Sequence, residues 1–410
     1  MANVSSSNGL EKRPKLRFPG FDEPYKHITL GEIASLVNRT DPKADAPIMM
    51  LSAGNGFIMQ SEKYSRDNAG QSLKKYILLK QGELAYNHGA SKAKQYGCCY
   101  ELTEKEARIP YVYHCFKISE TEYTPYIAMA LNNSKMDKQL KRLVSSSVRM
   151  DGLLNISFED YMSVTLFVPS SKEQKHIADF INRLDERIKA QEKLVASLKK
   201  YKRGVMSILL SSKDNPYYSS ETWKEVSLSD VASGFEYGMN AAATVYDGSH
   251  KYIRITDIDD SSHLYSQDEP VSPEGQAEEK YRVRENDILF ARTGASVGKS
   301  YCYQRSDGDL YFAGFLVRIH VNSGVDCSYV FQNTMTEAYR RWVMLESARS
   351  GQPGINAEQY KQYRFLLPPI ETQKKISLMA SNLDALISKG ERLQSQLEQI
   401  KAALMQQLFI

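Results

Sequence analysis

The segment SKEQKHIADFINRLD at residues 171–185 recurs as IETQKKISLMASNLD at residues 370–384. The two copies align without a gap at an offset of 199 residues (370 − 171), and several glutamine, lysine, isoleucine, leucine and aspartate residues match. Neither copy contains proline or glycine. Their apolar residues recur at steps of three and four, which predicts a helix with one apolar face. The repeat therefore predicts a duplicated chain with one long helix in each half.

The repeat extends well beyond these two segments. The same offset of 199 joins Leu209 to Leu408 downstream. Upstream, residues 26–35 match residues 224–233 at an offset of 198 (224 − 26). A period of this length is too long for a solenoid, whose repeats are about 20–45 residues. We therefore expect two copies of one domain, related by approximate twofold symmetry.

Each helical segment is about 40 residues long, which corresponds to a rod of roughly 60 Å. Two helices with narrow apolar faces are best buried against each other, so we expect an antiparallel coiled coil. Gln191 and Gly390 interrupt the two apolar faces at the same place. The residues predicted to form these faces are Ile177, Phe180, Leu184, Leu194, Leu198, Val205 and Leu209 in the first helix, and Ile376, Met379, Leu383, Leu393, Leu397, Ile400, Leu404 and Leu408 in the second.

The rest of the sequence predicts an α+β fold with short strands in both halves. In the second half, two strands at residues 287–292 and 301–303 flank a glycine-bearing turn, and residues 315–321 form another strand. A helix at about 327–345 follows. The first half repeats this pattern and ends in a helix at about 124–143.

These patterns divide the chain into six parts. Two globular domains are each followed by one long helix, with a short segment before the first domain and a linker before the second. The predicted bounds are 1–24 for the N-terminal segment, 25–169 for the first domain, 170–211 for the central helix, 212–222 for the linker, 223–368 for the second domain and 369–410 for the C-terminal helix.

Composition restricts the class of protein. Hydrophobic residues make up 42% and charged residues 25% of the 410 residues, as in globular proteins, and the formal net charge is +4. We see no apolar run of roughly 20 residues and no apolar leader, so we expect a cytoplasmic protein. The five cysteines have no metal-ligand or paired spacing, which predicts free thiols and no metal site.

Several motifs give the chain a resemblance to a known family. They lie at residues 17–21 (RFPGF), 149–157 (RMDGLLNIS), 286–294 (NDILFARTG, with Gly298 and Lys299 behind it) and 350–356 (SGQPGIN). A proline and a Glu-Gln or Thr-Gln pair precede each long helix. In their order and duplication, these motifs make the chain similar to type I restriction-modification specificity subunits over nearly its full length.

The resemblance implies two target-recognition domains, each reading one half of a split and asymmetric site in double-stranded DNA. The paired helices would set the spacer and dock two adenine methyltransferase subunits, which use S-adenosylmethionine. Two restriction subunits, which use ATP and magnesium, would complete the enzyme where the system has them. The resemblance assigns no catalytic site and no cofactor to this chain.

DNA contacts need donors for phosphate and for base edges, most often Arg, Lys, Asn and Gln. We expect them in the loops that follow strands, with the basic helices as weaker candidates. Arg149 and Arg349 stand just before the glycine-bearing segments of the two repeats. The candidate DNA-binding residues are Asn87, His88, Ser91, Lys92, Lys94 and Arg149 in the first half, and Arg254, Arg292, Thr293, Ser296, Lys299 and Arg349 in the second.

Two motifs resemble catalytic motifs but lack features that the corresponding chemistry requires. Residues 294–300 resemble a phosphate-binding loop, but only three residues separate the glycines where four are needed, and a strand is predicted to follow. Residues 215–218 resemble the signature of amino methyltransferases, but they lack its second proline and lie in the predicted linker. We therefore predict a protein that is not an enzyme.

Two alternatives remain at this point. One is a nuclease or methyltransferase fused to recognition domains, which would need a catalytic domain outside the repeats. The other is a coiled-coil scaffold that does not bind DNA. Binding to duplex DNA that weakens with salt separates the recognition subunit from the scaffold, because phosphate contacts release counterions.

Overall fold

The structure, a computed structural model, describes residues 2–3, 13–63, 70–92, 94–144, 154–348 and 354–410. The chain forms two compact units. Unit 1 comprises Met1–Gln191 together with Leu393–Ile410, and unit 2 comprises Glu192–Arg392. Both boundaries between the units fall inside long helices, so each unit contains one portion of each long helix.

The strands of unit 1 are short and pair mostly with strands of nearby sequence. They are β1 (Ala2–Asn3), β2 (Leu16–Arg17), β3 (Lys26–Thr29), β4 (Ala34–Leu36), β5 (Met49–Ser52), β6 (Gly56–Met59), β7 (Ile77–Lys80), β8 (Leu84–Asn87), β9 (Cys98–Glu101), β10 (Glu106–Ile109), β11 (His114–Ile118) and β12 (Thr165–Val168).

Helices lie between these strands and after them. They are α1 (Leu30–Ile33), α2 (Gln60–Lys63), α3 (Thr124–Ala130), α4 (Ser134–Leu143), α5 (Phe158–Met162) and the long α6 (Ser171–Leu209), with a 3₁₀ turn at Gly70–Lys75.

The centre of unit 1 is a four-stranded antiparallel sheet in the order β4-β11-β8-β9. Tyr86 on β8 is opposite His114 on one side and Cys99 on the other. Its ring stacks on the ring of Tyr161 at 3.9 Å between centroids. Tyr86, Cys99 and Phe116 belong to one buried apolar cluster that also contains Ile177 of α6. The sheet is thereby fixed to the first turns of the long helix.

A buried ion pair attaches the RFPGF motif to α6. Arg17 donates from Nε and Nη2 to the two carboxylate oxygens of Glu173 at 2.9 and 2.8 Å. The side chains of both residues are almost inaccessible to solvent, at 4% and 0% exposure. The position that matches Glu173 in the second repeat is Thr372, so the repeat does not reproduce this carboxylate.

Unit 2 has strands of similar length. They are β13 (Lys224–Ser227), β14 (Ala232–Tyr237), β15 (Ala243–Val245), β16 (Lys251–Ile253), β17 (Val271–Pro273), β18 (Asp287–Ala291), β19 (Ser300–Cys302), β20 (Leu310–Phe312), β21 (Leu316–Val321) and β22 (Arg364–Leu367).

Its helices again close the sheet and lead into a long helix. They are α7 (Leu228–Val231), α8 (Cys327–Asn333), α9 (Glu337–Ser347), α10 (Ala357–Lys361) and α11 (Ile370–Leu408), with 3₁₀ turns at Ile255–Asp257, Glu279–Tyr281 and Arg305–Asp307.

The central sheet of unit 2 has the order β14-β21-β18-β19, which is the order of unit 1 with the equivalent strands. The short helices α1 and α7 also start alike. Thr29 with Glu32 and Ser227 with Asp230 form the same reciprocal capping arrangement, at an offset of 198 (227 − 29). The predicted α+β fold and internal repeat are confirmed by this shared topology.

The helix predicted in each half after the sheet is in fact two helices. In unit 1, α3 ends at Ala130, and Asn133 caps α4, because its side chain accepts from the amides of Lys135 and Met136. In unit 2, Thr336 caps α9 in the same way by accepting from the amide of Tyr339. Ser, Thr and Asn favour such caps over helix interiors, and this signal was present in the sequence.

The apolar faces predicted for the long helices are partly wrong. Leu194 and Ile400 are about half exposed (51% each), whereas Ile188 and Val195 are buried. Gln191, which looked like an interruption, is itself buried at 5% exposure. The buried positions repeat every seven residues, as in a coiled coil, and the interior accepts polar or small residues at some of them. Because the prediction used hydrophobicity alone, it placed part of the buried helix face one residue away from its observed position.

Within each unit the two helix portions run antiparallel. In unit 2, Lys202 pairs with Asp384 at 2.6 Å, and Lys199, earlier on α6, pairs with Glu391, later on α11, at 2.7 Å. In unit 1, Lys401 pairs with Asp185 at 2.5 Å. The pairs of Lys202 and Lys401 are equivalent in the repeat, since both partners differ by 199 (401 − 202 and 384 − 185). The predicted antiparallel pairing is confirmed.

All five cysteines are free, as predicted. Burial raises the pKa of the Cys98 thiol to about 11, which makes it a poor thiolate at neutral pH. Within the described ranges, no three His, Cys, Asp or Glu side chains are grouped so that they could hold a metal ion. Over the same residues, no helix has the length and apolarity that crossing a membrane requires.

Candidate nucleic-acid interface

A cleft of 810 Å³ opens on unit 2 where the ends of four strands meet. Tyr237 ends β14, Arg254 follows β16, Arg292 follows β18, and Phe315 precedes β21. The walls therefore combine cationic and aromatic side chains with exposed backbone. Such a mixture suits contact with nucleic acid, because guanidinium groups donate to phosphates and base edges while aromatic rings contact bases.

The floor of the cleft is fixed by close backbone contacts. The Tyr252 hydroxyl donates to the carbonyl oxygens of Met239 and Ala241 at 2.7 and 3.1 Å. A β-carbon added at Gly238 would lie 2.3 Å from the carbonyl oxygen of Ala313, so only glycine fits there. The floor of the cleft therefore packs closely against the neighbouring backbone and has no room for a side chain at residue 238.

Arg292 is the cation with the most unusual environment in this cleft. Its guanidinium carbon lies 4.7 Å from the centroid of the Tyr237 ring, in a cation–π contact. Its Nε is buried and has no hydrogen-bond partner among the described residues. The backbone of Arg292 is held on both sides, because its amide donates to Phe315 and its carbonyl accepts from Ile355, at 3.1 and 2.9 Å.

Arg254 lines the same cleft but carries a compensated charge. Its Nη2 and Nε donate to the carboxylate oxygens of Asp257 at 2.7 and 2.8 Å. The hydrogen bond to Asp257 is the largest cause that raises the pKa of the Arg254 guanidinium. The net charge of this pair is zero, so Arg254 contributes donors and shape more than electrostatic attraction.

The hairpin between β18 and β19 contains the other candidates of unit 2. Thr293 lines the cleft, and Ser296 is half-buried in the turn. Lys299 donates from Nζ to the carbonyl of Ile258 at 2.9 Å and pairs with Asp260, so this amine is used inside the unit. Because the loop leads into the strand β19, it is a hairpin and not a phosphate-binding loop.

Unit 1 presents different chemistry at the equivalent place. His88 is the first residue after β8, as Arg292 is the first after β18, and its carbonyl accepts from the amide of Leu154 at 2.9 Å. The His88 side chain is buried at 5% exposure, and its two ring nitrogens lie 2.7 and 3.0 Å from the carbonyl oxygens of Leu154 and Val112. His88 therefore supports the loop from inside, which makes it a weaker candidate than the sequence suggested.

The loop after His88 holds the remaining candidates of unit 1. Asn87 accepts the amide of Gly89 at 2.9 Å, and the Ser91 hydroxyl accepts the amide of Lys94 at 3.0 Å. Lys94 donates from Nζ to the carbonyl of Asn132 at 2.7 Å, while Lys92 is exposed. Three of these polar groups thus shape the loop, and Lys92 is the exposed cation. Arg149 and Arg349 lie outside the described residues.

Comparison with known proteins finds a similarity that covers most of unit 2. Residues 220–399 match the family model of the type I restriction modification DNA specificity domain. These residues are similar to that family. The resemblance inferred from the motifs is confirmed, and the cleft described above is a feature of the specificity domain.

The likeness also reaches beyond the matched residues. The specificity subunit of the type I restriction enzyme StySPI of Salmonella potsdam is 22% identical over 280 residues, which are 65% of this chain and 60% of that protein. The type I restriction-modification S subunit of M. genitalium has a TM-score of 0.60 at 12% identity, over 97% of this chain and 99% of that chain. A chain from a study of assembly and conformational transition of the type I restriction-modification system has a TM-score of 0.56 at 14% identity, over 95% and 98%. The two structural likenesses confirm the fold.

Two aromatic residues beside the cleft were not predicted from the sequence. Phe315 was assigned to a strand, but β21 starts at Leu316, which leaves the Phe315 side chain 61% exposed beside the cleft. Tyr237 supports Arg292 from the end of β14. The glycine directly before Phe315 was a usable signal for a strand boundary, whereas the contact of Tyr237 with Arg292 joins residues 55 positions apart (292 − 237) and had none.

Proposed function

We propose that this chain is the DNA-recognition subunit of a type I restriction-modification enzyme and has no catalytic site of its own. The observation that carries the proposal is the match of residues 220–399 to the DNA specificity domain of these systems. The cleft with Arg254, Arg292 and Phe315 supports it, because its side chains are of the kinds that contact phosphates and bases. A cytoplasmic location follows from this function.

The proposed target is a split, asymmetric site in double-stranded DNA, with one half read by each unit. The support is that one topology presents different side chains at equivalent positions. Unit 2 has Arg292 in an open cleft, whereas unit 1 has the buried His88 there, with Lys92 exposed nearby. Two different surfaces on two copies of one frame would read two different half-sites. The helices would set the number of base pairs between them.

The proposed protein partners are two adenine methyltransferase subunits that dock on the long helices. Apolar side chains recur every seven residues on exposed positions of these helices. On α6, Leu194, Tyr201 and Ile208 are 51%, 61% and 44% exposed, and on α11 Leu386 is 53% exposed. Such a stripe at heptad spacing is suited to burial against a further helix. S-adenosylmethionine would bind to these partners, and ATP and magnesium to two restriction subunits where the system has them.

The test is a genome-wide map of adenine methylation in native cells with and without this chain. We expect one split, asymmetric motif to lose methylation when the chain is removed and to regain it when the chain is restored from a plasmid. A map that is unchanged on removal contradicts the proposed function. Binding of the purified complex to duplex DNA should also weaken with salt, and a scaffold without DNA contacts would show no such dependence.

A further inference from the structure

Arginines on the globular part of unit 2 are almost all paired with carboxylates. Across residues 223–348 and 354–368, eight arginines have a carboxylate oxygen within 4.0 Å. They are Arg254, Arg282, Arg284, Arg305, Arg318, Arg340, Arg341 and Arg364. Arg292 is the one arginine of these ranges without such a partner.

Leaving Arg292 unpaired is unfavourable for the free protein. Its Nε is buried without an acceptor among the described residues, and a buried donor without an acceptor costs stability. Pairing with a carboxylate would have removed this cost, as it does for Arg254 in the same cleft. The buried Nε itself is out of reach of a ligand, but the two Nη atoms of Arg292 also have no hydrogen-bond partner among the described residues. Because Arg292 lines the open cleft, this unpaired fork points to a ligand.

The surroundings of Arg292 suit the edge of a base as the acceptor better than they suit a phosphate. The cation–π contact with Tyr237 and the anchored backbone limit how the planar fork can turn, and a fixed fork donates two parallel hydrogen bonds. Arg254 and Lys299 are both neutralised by aspartates, so the cleft holds few uncompensated cations to attract a phosphate. The edge of guanine offers two adjacent acceptors, O6 and N7, and carries no formal charge.

We propose that Arg292 is a specificity-determining residue that donates two hydrogen bonds to a guanine in the half-site read by unit 2. Tyr237 is a positioning residue, since it holds the guanidinium flat without touching the base. Phe315, exposed beside the fork, contacts the neighbouring base or its methyl group. The proposal rests on the proposed function, because it needs duplex DNA in this cleft.

The experiment compares the methylated motif in cells that carry the full chain with Arg292→Gln, Arg292→Lys or the control Arg305→Gln. Arg305 lies in the same unit and loses the same charge, but its side chain is 80% exposed and paired with Glu285. Chain abundance is measured in each strain by immunoblot. Arg292→Lys keeps the positive charge but lacks the fork. It therefore separates a contact with the edge of a base from a contact with a phosphate.

The expected result is that both Arg292 variants relax one guanine position in one half of the motif. A bidentate contact gives a preference of roughly 5- to 150-fold over other bases, and this preference should approach equality. Arg305→Gln should keep the wild-type motif. The salt dependence of DNA binding by the purified complexes should change little in Arg292→Lys.

Two outcomes overturn the proposal. If methylation falls at all sites equally with the motif unchanged, and Arg292→Lys restores it, then Arg292 contacts a phosphate. If every variant is as abundant and as active as the wild type on the same motif, then Arg292 is not in the interface. In both cases, a motif in wild-type cells that depends on this chain would still support the proposed function. If wild-type cells show no methylated motif that depends on the chain, the proposed function itself is contradicted.

Discussion

At the scale of single residues, the two units use equivalent positions for different purposes. The first residue after the third strand of the sheet order is Arg292 in unit 2 and His88 in unit 1. In both residues the backbone carbonyl accepts a hydrogen bond from a later segment of the chain, from the amide of Ile355 in unit 2 and from the amide of Leu154 in unit 1. The topology shared by the two units thus fixes the backbone at this position, whereas the side chain differs between the units. This is how one duplicated domain can acquire two specificities.

Two partly buried histidines are expected to make stability depend on pH. Burial lowers the pKa of His114 and of His263 below the ordinary value of 6.5. The folded state then disfavours protonation while the unfolded state accepts a proton near pH 6.5. The stabilising effect is therefore present above this pH, and it is lost as the pH falls through the lower folded-state pKa.

We expect the melting temperature to fall as the pH is lowered from about 7.5 to about 5.5, and the double variant His114→Gln/His263→Gln to fall less steeply. The measurement is thermal unfolding followed by circular dichroism across this range. His27→Gln is the control, because His27 is exposed. Parallel slopes in the wild type and the double variant would rule out these histidines as the source.

At the scale of elements, the long helices have two apolar stripes with different roles. The buried stripe includes Ile181, Ile188 and Val195 and packs inside the units. The exposed stripe of Leu194, Tyr201 and Ile208 is offset by one position and has the same period of seven residues. One helix can therefore stabilise its unit and still present a surface for a partner helix.

The exposed stripe gives a prediction for Tyr201→Lys. Because Tyr201 is 61% exposed, a lysine there should leave the melting temperature nearly unchanged and weaken the recovery of the methyltransferase subunit with a tagged full-length chain. Recovery is quantified by mass spectrometry of the complex. Ala196→Lys adds the same charge at an exposed position on another face of α6, five residues before Tyr201, and should recover the partner normally. Equal recovery in both variants would place the docking surface elsewhere.

At the scale of the whole molecule, the repeat predicts that the proposed DNA recognition is modular. Each unit has its own four-stranded sheet and its own apolar cores. Exchange of residues 223–350 for the corresponding residues of another family member should therefore change only one half of the methylated motif. Long-read mapping of methylated adenines gives the motif directly. A change in both halves would mean that the units do not read the site independently.

The duplication, the long antiparallel helices, the α+β class and the resemblance to the family could all be predicted from the sequence. These features depend on local periodicity and on motif order, both of which are read along the chain. Lys401 and Lys202 already matched at an offset of 199 (401 − 202), as did their partners Asp185 and Asp384.

The tertiary structure alone decided which of the candidate residues have partners. Charge and residue type gave His88, Lys299 and Arg292 equal standing in the sequence. Folding buries His88 against two carbonyls and pairs Lys299 with Asp260. It leaves Arg292 in a cation–π contact with Tyr237 and without a carboxylate partner among the described residues. These contacts join residues far apart in the chain, and the choice among possible partners is made by the packing of strands and loops in three dimensions. No local pattern carries that information.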